Sequence, residues 1–443
     1  MLFDLVAAGG NRMDGDDIQL ALAQATASLF LADDHRSLSA ACDEVQTLLR
    51  AAHNVSASVY ACTVFLLGWT ELRLRRDPVR AVDLLRVAVR ECMSTGQHWL
   101  ARRASANLAF ALAFSGDLNG SATSVDAHSV EQWNHWHNYD GGIEVFTEGF
   151  IDFWRNDLAA ADEKFAKIIE SDGGTASYAA LARIYRALIA CARGNEAALS
   201  HAENGLQRVS AVEAHGVPWA VYVLMARAKL ADARGDTDSA ASLCADIPTS
   251  RYIPVVSIFV AEMCRRHGDF GRATEILDGL DPEIMPSFVH VCALLTRSLI
   301  HRSRGERSPA HEHLEHSLMI ASEHSILRPF GDPDPDIDDF LVEHAQQGSI
   351  FQEFIGKTLS MRKGIHSLTP SALVRLSRRE SEVLGYLRTS MTTAEIARAL
   401  YVSVNTVKSQ KQSIYRKLGV SSRSEATAPR TGPTTTMDAR RPR

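Results

Sequence analysis

The chain has 443 residues, an apolar fraction of 46%, an aromatic fraction of 7% and a formal net charge of −6. That is enough length and apolar content for more than one buried core, and too much for a disordered chain. Its seven cysteines are scattered singly with no C-x-x-C pair, which argues against a disulfide framework or a cysteine zinc site and for small buried hydrophobes in a reducing cytosol.

The N-terminal MLFDLVAAGG has no basic segment, so no signal peptide is expected. The longest strongly apolar run, near 253–264, is too short to span a bilayer, and a cytoplasmic location follows. Charge is unevenly placed. Met361 to Arg443 carries 16 Lys and Arg against 5 Asp and Glu, while Met1 to Ser360 carries 31 against 48. A basic end on an acidic body is the footprint of a nucleic-acid-binding terminal domain.

From the N-terminus to about residue 325 one punctuation recurs: an amphipathic segment, a short turn rich in Gly, Asp or Asn, and a second amphipathic segment. The turns fall at Asp33-Asp34, Asp77-Pro78, Gly116-Asp117, Asn156-Asp157, Gly194-Asn195, Gly235-Asp236, Gly268-Asp269 and Gly305-Glu306, spaced 33 to 44 residues apart. Self-similarity at such a period marks an α-solenoid, here with tetratricopeptide-like chemistry over 1–325. In the second hairpin Tyr60, Phe65, Gly68, Trp69 and Leu72 precede the turn and Ala81, Leu84, Leu85 and Ala88 follow it. Small residues such as Gly68 and Ala81 let two helices approach, and large ones fill the groove between neighbours. One hairpin cannot bury its apolar face alone, so stability comes from stacking.

Two clusters in this array bear on chemistry. Trp133, Trp136 and Tyr139 gather near Gly141-Gly142 with His135 and His137. The bland reading is a packed loop between repeats; the sharper one is an effector-binding pocket, since aromatics with a few polar groups suit small ligands. His311 to His316 spell HEHLEH, but the zinc-protease spacing H-E-x-x-H needs His at 315, where Glu stands. The run reads as a solvated helix face, and no metal or cofactor is expected.

Residues 326–371 break the pattern. Pro329, Pro333, Pro335 and five Asp between Gly331 and Asp339 form a turn-rich acidic segment, followed by short helices near 337–347 and 350–359. A linker rich in Ser, Lys and Gly is expected from about Ser360 to Ala372. Gly356-Lys357-Thr358 imitates the end of a phosphate-binding loop, but Phe351 stands where its first Gly belongs and no strand precedes it. No complete phosphate loop and no Ser/His/Asp or Cys/His arrangement occurs, so the chain is not expected to be an enzyme.

The segment Leu376 to Ala426 carries four helix starts. Ser377 with Glu380, Thr392 with Glu395 and Ser422 with Glu425 have capping-box spacing, and Ser403 precedes a long helical pattern. The two central helices are joined by only a few residues around Tyr401 to Ser403, which is a helix-turn-helix. The second of them is expected from Val404 to Leu418, with Val404, Val407, Ile414 and Leu418 facing inward and Asn405, Lys408, Ser409, Gln412 and Arg416 facing outward. Lys can donate to guanine O6 and N7, and Asn or Gln can pair with adenine, so this polar face suits the major groove as well as it suits solvent.

This segment resembles the LuxR-type helix-turn-helix of bacterial transcription regulators, through LSRRE (376–380), AEIA (394–397), S-x-x-TVKS (403–409), IYRKLGV (414–420) and SRSEA (422–426). ILRPFGDPDPDIDDFL resembles the region before that domain in large MalT-like members, without the ATPase that those place first; this chain is then a shortened relative or a fragment of a longer one. The resemblance implies a four-helix module over 372–426 whose third helix enters the major groove and whose fourth mediates dimerisation. By position it brings Lys408, Ser409 and Gln412 to bases and Thr406, Gln410, Arg416 and Lys417 to phosphates. The chain departs from the pattern at Gln410, where His is common, and at Lys411, where an apolar residue is usual. Pro429, Gly432 and Pro433 stop the fourth helix early, and 427–443 read as a disordered tail.

The expectation is an all-α, cytoplasmic transcription regulator. An acidic array senses a small-molecule or protein effector, and the C-terminal module binds double-stranded DNA as a homodimer, with no membrane partner. The alternative is a helical-repeat interaction scaffold whose C-terminal module has lost DNA binding.

Overall fold

The computed structural model describes residues 15–126 and 142–368, apart from short gaps at 33, 53–54, 76, 172–176, 211–216, 251–252 and 333. Towards the C-terminus it describes 383–384, 386–387, 391–400, 402–418, 422–423 and 426. Two compact units separate at Leu368 and Thr369. Regular structure among the described residues is helical, and no helix there is long and apolar enough to cross a membrane.

Among its described residues the first unit has eight helical hairpins: α1 (Gly15–Leu31) with α2 (His35–Ala51), α3 (Ala57–Leu74) with α4 (Pro78–Ser94), α5 (His98–Ser115) with α6 (Leu118–Asp126), and α7 (Ile143–Trp154) with α8 (Leu158–Ser171). They continue as α9 (Ser177–Arg193) with α10 (Glu196–Leu206), α11 (Trp219–Arg234) with α12 (Thr237–Asp246), α13 (Pro254–Arg266) with α14 (Phe270–Asp278), and α15 (Ser287–Arg304) with α16 (Arg307–His324). The hairpin turns coincide with the Gly/Asp punctuation because its two residues do different work. Gly235 takes φ 81° to end α11 in the left-handed region, and the Asp236 carboxylate then accepts from the Ser239 N–H at 3.1 Å to start α12. The same division recurs at 116–117 and 268–269, and Asn195 caps α10 in the same way.

The first helices of successive hairpins, α1, α3, α5, α7, α9, α11, α13 and α15, pack each on the next. Within a hairpin the close approach needs small residues: a Cβ on Gly68 would lie 2.8 Å from Leu85 Cγ, and one on Gly149 2.8 Å from Phe165 Cε1. The eighth hairpin also returns against the third and fourth. Phe288 stacks on Trp154 with ring centroids 4.3 Å apart and packs edge-on against Phe150 at 5.6 Å. The Leu327 N–H donates to the Trp154 carbonyl at 2.9 Å, and a Cβ on Gly116 would lie 2.5 Å from Ser287 Cβ. Phe114, Trp154 and Phe288 thus belong to one buried aromatic cluster. Trp133, Trp136 and Tyr139 lie outside the described residues.

The acidic segment is more ordered and more buried than its composition suggests. A 3-10 turn (Arg328–Gly331) leads into α17 (Pro335–Gln347) and α18 (Gln352–Leu368). The Arg265 guanidinium pairs with Asp334 and with Glu262, Arg328 pairs with Asp332 at 2.6 Å, and Arg266 pairs with Asp232. Burial alone would raise the Asp334 carboxyl, but Arg265, the Asp336 N–H and Arg266 outweigh it and hold it below the usual carboxylate range. Arg362, only 2% exposed, donates from α18 to the carbonyls of Phe330, Asp332 and Asp334 and to the Asp338 carboxylate. That anchorage carries the helix through 360–368, where composition reads as linker. Gly356 to Thr358 lie inside α18, with the Thr358 hydroxyl donating to the Phe354 carbonyl, so they form no phosphate loop.

The HEHLEH run is not a uniformly solvated face. Glu312 and His316 are exposed, but His311, His313 and Glu315 turn towards neighbouring helices. The Glu315 carboxylate accepts from His344 Nε2 at 2.5 Å, the Nδ1 atoms of His344 and His311 meet at 2.8 Å, and Gln347 Nε2 reaches His311 Nε2 at 2.8 Å. One tautomer set satisfies all three contacts: His344 holds its proton on Nε2, His311 holds its proton on Nδ1, and Gln347 donates to His311. Among the described residues no group of three His, Cys, Asp or Glu is placed to hold a metal ion.

Burial, then His344, Arg302 and Arg307 depress the His311 pKa against the opposing pull of Glu343. Burial raises Glu315, but hydrogen bonds from His344, Ser349 and the Ile350 N–H more than offset this. Both groups are therefore depressed in the folded state, and each contributes stability that is lost as pH falls, beginning for His311 below its ordinary value of 6.5. The urea midpoint of the first unit is expected to fall between pH 7.5 and 5.5, and to fall less steeply in His311→Gln. Parallel pH profiles for the two proteins would remove His311 from this role.

Candidate nucleic-acid interface

The second unit is built on a small core of Val383, Leu387, Ile396, Ala397, Val407 and Ile414, flanked by Met391, Leu400, Val402 and Tyr415. α19 (Thr393–Ala399) opens with a complete capping box: the Thr392 N–H donates to the Glu395 carboxylate at 2.7 Å, and the Glu395 N–H donates to the Thr392 hydroxyl at 3.4 Å. The turn closes as the Val402 N–H donates to the Ala397 carbonyl at 3.0 Å. Ser403 then caps α20 (Val404–Leu418), its hydroxyl accepting from the Thr406 N–H at 3.0 Å.

α20 is bedded by Val407 and Ile414, both fully buried. Val404, expected on the same stripe, is 40% exposed. Val402 in the turn closes that edge of the core, and the first residue of α20 overhangs it. Lys411 is half-buried, with its ammonium 5.6 Å from the Tyr415 ring centroid, so its stem covers the core's edge while the charge stays at the rim.

Asn405, Lys408, Ser409 and Gln412 are exposed. At helical spacing they form one continuous polar face opposite Val407 and Ile414. Thr406 is half-buried, its hydroxyl within hydrogen-bond distance of Ser403 Oγ at 2.7 Å. Gln410 is half-buried, with Oε1 shielded from solvent and unpaired among the described residues. The side chains of Arg416 and Lys417 lie outside the described residues, as do Ser377, Glu380 and Glu425.

Arg423 falls within the SRSEA stretch, but no residue pattern there announces its partners. Its Nε donates to the Leu387 carbonyl at 2.9 Å and its Nη1 to the Met391 carbonyl at 2.8 Å. Both partners are main-chain atoms more than thirty residues earlier, which no local spacing announces.

A helix that is apolar beneath, amide- and cation-bearing above, and held by a capped partner helix through a short turn is a helix-turn-helix. Comparison with known proteins agrees. Residues 374–428 match the family model of bacterial regulatory proteins of the luxR family. A stretch of 61 residues is 41% identical to the probable csgAB operon transcriptional regulatory protein of Salmonella typhimurium, and equally to the CsgBAC operon transcriptional regulatory protein of Escherichia coli. The aligned stretch is 14% of this chain and spans 27% of each relative's length. Residues 374–428 of the chain are a helix-turn-helix domain of the luxR family.

Proposed function

We propose that the chain is a DNA-binding transcription regulator in which α20 reads duplex DNA from the major groove. The observation that carries this is the exposed face of Asn405, Lys408, Ser409 and Gln412 on a helix whose other face is fixed in the core. Lys408, Ser409 and Gln412 contact base edges, and Thr406, Gln410, Arg416 and Lys417 contact phosphates. The relatives' names, both operon regulators, support the same reading.

The rest of the chain serves that head. The repeat array over 1–325 senses a small-molecule or protein effector, with Trp133, Trp136 and Tyr139 as its candidate contacts, and 326–371 joins it to the DNA-binding domain over 372–426. The protein binds as a homodimer and works in the cytoplasm. The acidic body keeps contact with DNA local to the C-terminal unit.

The test is binding of the full chain to random and genomic duplexes by fluorescence anisotropy at 50 and 200 mM salt. Lys and Arg contacts to phosphate release counterions, so affinity for random duplex is expected to fall by about 10³-fold or more over that range, while selected fragments stay bound more tightly. The rival is an interaction scaffold, favoured by Pro429 so soon after Ala426; absence of duplex binding at the lower salt would select it.

A further inference from the structure

We infer that Arg423 is a positioning residue for DNA reading, acting through the main chain at Leu387 and Met391 to fix the seat of α20. The inference rests on the function proposed above.

Leu387 is a core residue, only 2% exposed, at the end of the described 383–387 stretch. Met391 stands immediately before Thr392, the cap of α19. One guanidinium therefore bonds two carbonyls, that of a core residue and that of the residue just ahead of the α19 cap. Hydrogen bonds from a charged donor are roughly twice as strong as neutral ones. A carbonyl shielded here without a donor would be costly.

The tie also reaches α20. Met391 and Tyr415 flank the same small core, and the Arg423 charge partly opposes the upward push that burial gives the Tyr415 phenol. Arg423 thus belongs to the corner shared by Leu387, Met391 and Tyr415.

The Ala426 N–H bonds back to the Ser422 carbonyl at 3.0 Å, Ala426 is 9% exposed, and Pro429 follows. Without the Arg423 tie, Met391 and the α19 cap that follows it lose this restraint, and the seat of α20 loosens with them. Base readout tolerates errors of only about 0.5 Å or 10–20°, whereas attraction to phosphate is long-ranged and tolerant. Loss of the tie should therefore cost discrimination before it costs non-specific affinity.

The experiment compares the full chain with Arg423→Ala and Arg423→Lys, measuring affinity for a selected duplex and a random duplex across salt, at a temperature where circular dichroism shows each protein folded. Arg423→Ala is expected to lower the selected-to-random ratio by about tenfold or more, with random-duplex affinity and its salt slope unchanged; Arg423→Lys is expected to recover part of the ratio. An unchanged ratio overturns the inference. So does loss of random-duplex affinity with the slope reduced by about one, which is the mark of a phosphate contact. Equal loss of both affinities, in proportion to unfolded protein, assigns Arg423 to stability alone and overturns it as well.

Amide exchange without DNA supplies an independent readout. Protection at 391–396 and in α20 is expected to fall in Arg423→Ala and to return in Arg423→Lys, and unchanged protection overturns the inference. If Arg423→Ala does not fold, Arg423→Lys decides by the same measurements. Wild-type protein that binds no duplex would sink the functional reading, while the exchange data would still decide the tie.

Discussion

Arg362→Ala is expected to destabilise the first unit by about 3–5 kcal/mol, the usual effect of removing one partner from a buried ionic group. Arg362 is 2% exposed and directs three hydrogen bonds into the turn between the eighth hairpin and α17 and two to Asp338 in α17. Three of its acceptors are carbonyls, those of Phe330, Asp332 and Asp334, and they cannot find new donors without admitting water. Arg362→Met keeps most of the stem packing and is expected to recover only a small part of the loss. All six tryptophans lie before residue 369, so tryptophan fluorescence in a urea titration reports this unit alone. A midpoint that does not move in Arg362→Ala would mean that water replaces the guanidinium at no cost, and the anchoring role would go.

The double variant Lys408→Ala/Gln412→Ala is expected to abolish sequence discrimination while leaving the protein as stable as before. Both side chains are exposed and one helical turn apart, and neither touches the core. A good base contact contributes about 1–3 kcal/mol of discrimination, so losing two predicts a fall of about 10²-fold or more in affinity for a selected duplex. Random-duplex affinity should fall far less, through the single lost cation. Anisotropy competition measures both. If the selected duplex binds the variant as tightly as the wild type, α20 does not present this face to bases.

The hairpin array was legible because its punctuation is local. At 116–117, 194–195, 235–236 and 268–269 glycine ends one helix and the following Asp or Asn starts the next, so both halves of the signal are adjacent in sequence. The capping box at Thr392 and the Ser403 cap were legible for the same reason. What stayed hidden depends on distant partners. His344 lies 33 residues from His311, so HEHLEH looked solvated until α17 was in place against it. Arg362 and Arg423 bond main-chain carbonyls, which every residue offers and which no residue type marks. The linker expected from Ser360 shows the same limit: Ser, Lys and Gly suggest a flexible coil, but a buried arginine in their midst holds them in a helix. Val404 was assigned inward by period alone, which ignores where a small core ends.

The contact of Phe288 with Trp154 has a consequence for biogenesis. Most repeat arrays can consolidate one unit at a time as the chain emerges, because each unit needs only its neighbour. Here the third and fourth hairpins are roofed by the eighth. During translation, the sides of Phe114, Phe150 and Trp154 that meet Phe288 stay uncovered until Phe288 has left the exit tunnel. Nascent chains stalled before that point should therefore be strong clients for chaperones that hold aromatic surface.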